Sequence, residues 1–380
     1  MTTYLLHDDA LRSHELRHEI SQPIMDEMIF IEHDGRRILI GSVLEVSIFD
    51  DRPEIVDEFW LQDDLGSEEL MNDRSFPVDL IDAEIARRAL ERLGAMRVIV
   101  PPGFRLHTAD YLRAGGIEVV VDSEAWMKRR RRKTPGEIEG IERAQRATET
   151  AMIAAQRMLR AAEPIADGRL RFEGETLTAE WIREVMQQEL GGQGADCEEI
   201  IVHSGEACLR GHEIGSGPIL PDKPVIIDCF PRDRRTGAYT DMTRTFVPGA
   251  PSPEIKKLHA DCRAALEVAF EQIRPGRDSA HRAVVEFFHE RGYPTREYYD
   301  GEQPLQVGFF HSLGHGVGLE VHERPWVGRR PDKLEVGDVV AIEPGLYFPE
   351  VGGVRLEDTV LVLDDGAQHF TDPLPYDLEV

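Results

Sequence analysis

The sequence predicts an α+β protein in which a smaller α/β domain precedes a larger domain that mixes helices with strands. Three observations predict it. Short β-prone runs alternate with a helical stretch and turns up to about residue 122, the pattern of a small α/β domain. A basic run and a strong helix start then mark a boundary. Beyond them, helical stretches are interleaved with strand-like runs that each carry or flank an acidic residue. We divide the chain into residues 1–127 and 128–380.

In chain order, MIFIEHDGRRILIG at 28–41 holds two β-prone runs around Asp34-Gly35, a hairpin turn pair. Asp79 to Leu93 places Ile81, Ile85, Ala89 and Leu93 on one helical face. RVIV at 97–100 and IEVVV at 117–121 are short strands. KRRRRK at 128–133 is expected to be a solvated linker that meets acidic surface, in preference to a targeting or nucleic-acid patch. Thr134-Pro135-Gly136-Glu137 combines an N-cap, a proline at the first helical position and an acid three residues after the cap. The helix it opens buries a stripe through Ile138, Ile141, Gln145, Thr148, Met152, Ala155 and Leu159. A second helix is expected from about Thr178 to Leu190, stopped by Gly191-Gly192. Strands follow at Glu199–His203 and Pro224–Phe230, and another closes at Phe246. A helix starts at Ser252-Pro253 and ends at Pro275-Gly276, and one more is capped by Asp278. Two final strands are expected at Asp338–Phe348 and Gly353–Leu363.

The chain has 380 residues, 41% hydrophobic and 30% charged, an ordinary globular composition. Its 44 basic and 71 acidic residues give a net charge of −27, which disfavours nucleic acid or an anionic membrane as a partner. MTTYLLHDDALRSHELR lacks the apolar centre of a signal peptide, and no run approaches the roughly 20 apolar residues that span a bilayer. Cys197, Cys208, Cys229 and Cys262 form no CxxC pair, so reduced thiols and a cytoplasmic location are expected. Cys229 follows Asp228 and should point to the opposite side of its strand, as a core residue.

The chemistry concentrates in FFHSLGHGVGLEVHE, residues 309–323, with His311, His315 and His322 set among Gly314, Gly316 and Gly318. Glycine beside histidine is expected to let the backbone come close to something bound. Four acids sit in or beside apolar, β-prone runs: Asp228 in PVIIDCF, Asp241 in AYTDMTRTF, Glu343 in VVAIEPGLY and Glu357 in GVRLEDTVLV. One such acid is ordinarily a solvent-facing strand residue. Four of them with glycine-flanked histidines point to a cation, because acids are rarely buried unless paired or bound to one. Four carboxylates and one imidazole can hold two divalent ions, and an oxygen-rich set with one nitrogen favours manganese, iron or cobalt over a thiolate-type zinc site. Strand alternation puts Arg355 and Glu357 on one face, with Leu356 turned into packing. It likewise groups Tyr239, Asp241, Thr243 and Thr245.

The segments IIDCF, YTDMTRTF, GHGVGLEVHE, AIEPG and RLEDT, in that order, resemble the pita-bread metallopeptidases. That family includes methionine aminopeptidases, Xaa-Pro aminopeptidases and Xaa-Pro dipeptidases (prolidases). The resemblance runs from about Thr134 to the C-terminus, and the preceding α/β domain resembles the creatinase-like one of the Xaa-Pro branch. It implies a pita-bread (creatinase/aminopeptidase-like) catalytic domain and hydrolysis of the Xaa-Pro bond of short peptides by a hydroxide held between two divalent ions. Manganese is the expected metal, with cobalt, iron or zinc possible. The resemblance implies that Asp228 holds one ion, that His315 and Glu343 belong to the other, and that Asp241 and Glu357 bridge them. Glu343 would also move the proton, His322 would stabilise the developing oxyanion, and His212 would contact the substrate near the scissile bond. His311 would line the substrate site, and Arg355 would steady Glu357 or face the substrate. A homodimer is also implied.

Two departures from the family pattern bear on the substrate. His212 lies in LRGHE, where Arg210 and Glu213 can alter the subsite, and CFPRDRRTGAYT between the aspartates is longer than usual. The added turn is expected to bulge into solvent. Competing readings are a metallo-aminopeptidase or dipeptidase without a strict proline requirement, a metal-free creatinase-like hydrolase, and a binding protein on a peptidase scaffold. The complete ligand set argues against the last two.

Overall fold

The computed structural model describes residues 2–49, 52–211, 213–372 and 374–380. It divides into two compact units, Met1–Arg130 and Arg131–Val380. The first unit runs β1 Thr3–Asp8, α1 His14–Ile20, β2 Met28–His33, β3 Arg36–Gly41, α2 Val46–Phe49, β4 Glu58–Leu61, α3 Ser67–Asn72, α4 Ile81–Leu93, β5 Arg97–Val100, α5 Leu106–Ala114, β6 Glu118–Val121 and α6 Ser123–Arg131. Its mixed sheet has the order β4-β3-β2-β1-β5-β6. Adjacent residues of β1 serve opposite faces, as the strand period requires. Leu5 packs in the layer with Ile85 and Ala89 of α4 and Leu112 of α5. Leu6 packs with Leu16 and Ile20 of α1 and Trp126 of α6. The Asp34-Gly35 turn has φ of 51° and 83°, left-handed at both central positions, as a tight hairpin demands.

The basic run meets acids, as expected, but most of it lies in α6 rather than in a linker, and Lys128 and Arg132 are exposed. Arg129 donates to Glu19 and Glu32, each at 2.6 Å. Its guanidinium also lies 4.8 Å from the Tyr4 ring centroid. Arg131 forms an ion pair with Asp338 at 2.6 Å.

The second unit runs α7 Pro135–Ala161, β7 Glu163–Pro164, β8 Leu170–Phe172, β9 Glu175–Thr176, α8 Ala179–Gly192, β10 Ala195–Asp196, β11 Ile200–Ser204, β12 Val225–Cys229, β13 Arg232–Asp233, β14 Met242–Phe246, α9 Pro253–Gln272, α10 Ala280–Glu290, β15 Gly314–Gly316, β16 Glu323–Val327, β17 Val339–Ile342, β18 Gly345–Phe348, β19 Gly352–Arg355, β20 Glu357–Leu363 and β21 Gly366–His369. The main sheet has the order β11-β12-β14-β20-β17-β15-β16, with β21 on β20. Helices cover one of its faces. α7 and α8 pack on Ile227, Cys229, Met242 and Phe246, and α9 and α10 pack on Val340, Ile342, Val360 and Val362. The residues that alternate with these, Asp228, Thr243 and Glu357 among them, therefore face away from the helices.

The capping box at Thr134 forms as expected: Glu137 N donates to Thr134 Oγ1, and Thr134 N donates to the Glu137 carboxylate. The two expected final strands are each broken. The first stops at Ile342, because Pro344 has no N–H to give a ladder. The second breaks at Leu356, whose N donates to Pro344 O. α9 ends at Gln272, before Pro275, and Ser279 rather than Asp278 occupies the position before α10. In the 230–240 connection Arg234 and Arg235 are the exposed residues, and the rest is buried or half-buried. Asp233 is buried and accepts from Arg143 at 3.0 and 2.9 Å.

Candidate metal centre

Strand register brings the acids together. Asp228 on β12 lies opposite Thr243 on β14, and Thr243 lies opposite Glu357 on β20. Directly opposed residues share a face, so these three form a row across the sheet. Asp241 is two residues before Thr243 and joins the same face. Thr243 Oγ1 donates to Glu357 Oε2 at 2.6 Å. Thr359 Oγ1 donates to Asp241 O at 2.9 Å and accepts from Asp241 N at 3.0 Å, which fixes that residue's backbone. Behind the row, the fully buried Arg244 donates to Glu357 O and to Asp358, both at 2.8 Å, and so ties β14 to β20.

His315 reaches the row from β15. Its Nδ1 is 3.1 Å from Gly316 O, a group that can only accept, so Nδ1 carries the proton and Nε2 presents a lone pair. Nε2 lies 3.7 Å from Asp241 Oδ2 and 3.9 Å from Glu343 Oε1. Those separations exceed a hydrogen bond. They are closer to the roughly 3.4 Å between two ligands on one ion, taken from bonds of about 2.1 Å at a tetrahedral angle. One ligand atom each from Asp241, His315 and Glu357 lies within 4.8 Å of the others. Glu343, in the break after β17, is fixed by its own N–H, which donates to Leu313 O at 2.8 Å.

The glycines around His315 serve packing rather than a bound group. A Cβ on Gly314 would stand 1.9 Å from Ala341 O on β17, and one on Gly316 would stand 2.4 Å from Arg324 backbone. Close strand approach is what excludes a side chain there.

Electrostatics mark the site as built for cations. Burial pushes the Asp241 carboxyl well above the usual range, and the charges of Glu357 and Asp228 push it further. Burial and Glu343 do the same to Glu357. Burial raises Glu343 to about 7, with Asp228 adding to the rise and Arg355 opposing it. Burial and His322 lower His315 to about 4, so it is neutral at pH 7, the form that binds metal. Asp228 Oδ1 and Asp241 Oδ1 are buried with no hydrogen-bond partner among the described residues. Mutually repelling acids with orphaned oxygens and a neutral imidazole are the donor set that divalent ions satisfy.

The expected site residues other than His212 line one cavity of about 1220 Å3: Asp228, Asp241, His311, His315, His322, Glu343, Arg355 and Glu357. His212 lies outside the described residues. The ring of His322 stands 4.2 Å from that of His315, edge to face. His311 is half-buried against Phe309 and Tyr347, with Nδ1 2.7 Å from Ser312 O. Arg355 lines the cavity, and the acid it grips directly is Asp228 rather than Glu357. Its Nη2 donates to Asp228 Oδ2 at 2.5 Å, and it reaches Glu357 only through Thr243, where Nε is 3.3 Å from Oγ1. Sequence reasoning missed Tyr347, whose OH is 3.2 Å from Arg355 Nη1, and the wall residues Phe310 and Trp326. It placed Thr243 on the right face without assigning it a task; an alternating polar residue between two acids was the available sign.

A sequence model of metallopeptidase family M24 matches residues 139–364. The Xaa-Pro dipeptidase of Pyrococcus furiosus is 32% identical over 246 residues, which cover 63% of this chain and 62% of that protein. The chain thus spans somewhat under two thirds of the length of that curated relative. Among solved structures, an Xaa-Pro dipeptidase from Bacillus anthracis superposes with a TM-score of 0.77 at 21% identity, covering 100% of this chain and 95% of the other. An X-Pro aminopeptidase from Thermotoga maritima gives 0.73 at 22% identity, covering 100% and 96%. The fold is therefore the α+β pita-bread architecture.

Proposed function

This chain belongs to metallopeptidase family M24, and from that membership we propose that it hydrolyses the Xaa-Pro bond of short peptides with two divalent metal ions. The observation that carries the reading is the convergence of Asp228, Asp241, His315, Glu343 and Glu357 on one cavity, with buried carboxylate oxygens left without partners. Asp228 would hold one ion, His315 and Glu343 the other, and Asp241 and Glu357 would offer carboxylate oxygens to both. The oxygen-rich donor set favours manganese, with cobalt, iron and zinc as alternatives. When bound, the ions supply Lewis acidity and a water made acidic enough to attack at neutral pH.

The chain's own groups do the rest. Glu343 can take a proton from the nucleophile and return it to the leaving nitrogen. Arg355 locks the orientation of Asp228, and Thr243 does the same for Glu357. His322 donates to the carbonyl oxygen as charge develops there, a contribution of about 2.7–4 kcal/mol in other hydrolases. His311 and His212 contact the substrate. Phe310, Trp326, Tyr347 and Ile201 give the cavity apolar wall against which a prolyl ring packs. The reading includes a homodimer, checked by sedimentation, and a cytoplasmic location, supported by four buried, free cysteines. Among the described residues no helix is long and apolar enough to cross a membrane.

A panel of Xaa-Pro dipeptides, Xaa-Pro-led tetrapeptides and proline-free controls, assayed with manganese and after chelation, tests the proposal. Turnover of the Xaa-Pro substrates should require metal. Equal turnover of the proline-free peptides would remove the proline requirement, and turnover that survives chelation would remove the mechanism. The two peptide lengths distinguish dipeptidase from aminopeptidase.

A further inference from the structure

The first unit holds another convergence of ligand-type side chains. His7 lies near the end of β1, Glu27 just before β2, and Asp82 in the first turn of α4. One ligand atom from each lies within 4.8 Å of the others. His7 is only 2% exposed. Its Nδ1 is 2.9 Å from Thr108 Oγ1, which leaves Nε2 directed at the two carboxylates. Nε2 has no hydrogen-bond partner among the described residues. Glu27 Oε2 stands 3.4 Å from it and Asp82 Oδ2 3.8 Å.

Those distances are long for a charge-assisted N–H···O bond, which runs about 2.7–2.9 Å. They are close to the roughly 3.4 Å between two ligands of one zinc ion, from bonds of about 2.0–2.1 Å at tetrahedral angles. The neighbours hold the set in place. Arg105 Nη1 donates to Glu27 Oε1 at 2.5 Å, and its Nη2 donates to Asp8 at 2.9 Å. That grip uses one Glu27 oxygen and leaves the other to His7. Thr108 orients the imidazole, as groups behind a metal ligand do.

We propose that His7 Nε2, Glu27 Oε2 and Asp82 Oδ2 bind one divalent transition-metal ion in the first unit, a site distinct from the peptidase centre, with zinc as its probe. One nitrogen and two carboxylate oxygens make a three-ligand set that a divalent first-row ion such as manganese, iron, cobalt or zinc can occupy. The Glu27 and Asp82 side chains are each 40% exposed, so water completes the coordination and the ion can enter from solvent. The site fastens α4 to the end of β1. The rival occupant is a proton on His7, held between the same carboxylates.

Crystals of the whole chain grown with zinc, measured on both sides of the zinc absorption edge, decide between them. An anomalous peak between His7, Glu27 and Asp82 is expected, and its absence overturns the site whatever the cavity of the second unit contains. In solution, zinc-loaded protein passed through a desalting column should lose one equivalent per chain on Asp82→Asn. The same loss is expected on Glu27→Gln, so the count does not depend on one variant folding. Asp241→Asn should retain that equivalent. An unchanged zinc count in both first-unit variants also overturns the site and identifies the occupant as the proton.

Discussion

At the residue scale, Asp241 carries the sharpest consequence. Its carboxyl is buried among Glu357, Asp228 and Glu343, and without cations that proximity is repulsive. Asp241→Asn removes the repulsion and also removes an anionic ligand. The metal-free variant should therefore melt higher than the parent, by about 2–4 °C for each kcal/mol relieved. The metal-loaded variant should lose most of its stabilisation by manganese. Elemental analysis and calorimetry with and without metal check both halves, and full occupancy in the variant would contradict a bridging role. His322 behaves differently, because it lies beside His315 and is not one of the convergent carboxylates. His322→Ala should keep its metal and lose about 10²–10³-fold in kcat on the best Xaa-Pro substrate. Unchanged kcat would remove it from the mechanism.

At the element scale, the site depends on how closely β15 lies against β17. Gly314 has no room for a Cβ, since Ala341 O would be 1.9 Å away. Gly314→Ala must push β15 off its neighbour and carry His315 with it. A stability loss of about 1–3 kcal/mol is expected. Manganese affinity should weaken as well, because the imidazole is displaced from Asp241. A titration that found parental affinity would show that the strand can yield without moving its histidine. These glycines also show what was legible in the sequence. Their need for close approach could be read, but the partner was misjudged as a bound group, because which strand lies alongside is a long-range fact. Local patterns were legible: the Asp34-Gly35 turn, the Thr134 capping box, and the alternation that turns Leu356 into the helix-side core while Arg355 and Glu357 face the cavity. The acids were found because a charge in an apolar run is conspicuous without any register. Tyr347 and Trp326 were not, since their part in the cavity wall follows from the β18–β19 hairpin and from the pairing of β16 with β15, which no local pattern encodes. The grip of Arg355 on Asp228 spans 127 residues and needs three strands, β12, β14 and β19, brought side by side.

At the scale of the whole molecule, the centre should make stability depend on pH and metal together. Burial raises the metal-free carboxyls of Asp241 and Glu357 well above the usual range and raises Glu343 to about 7. An acid whose folded pKa is raised contributes stability that is fully present below its unfolded value. That stability is lost as pH rises through the folded value. For Glu343 the loss runs from about pH 4.5 to 7, and for the other two it extends higher. His315 has the opposite sign: its pKa is lowered from 6.5 to about 4, so it weakens the fold as pH falls through that interval. Above pH 6.5 the imidazole's contribution is constant, and the carboxyls alone set the slope. Divalent ions replace the protons that those carboxyls would otherwise keep, so metal binding releases protons and tightens as pH rises. The gain in melting temperature on adding manganese should therefore be larger at pH 8 than at pH 6.5. The net charge of −27 makes the surface salt-sensitive, so the two measurements must share one ionic strength. Calorimetry of the parent and of Asp241→Asn across that interval separates the centre from the rest of the molecule. The parent should show the slope and the variant a shallower one, since Glu357 and Glu343 remain. Equal slopes in both would mean that Asp241 is not one of the titrating groups.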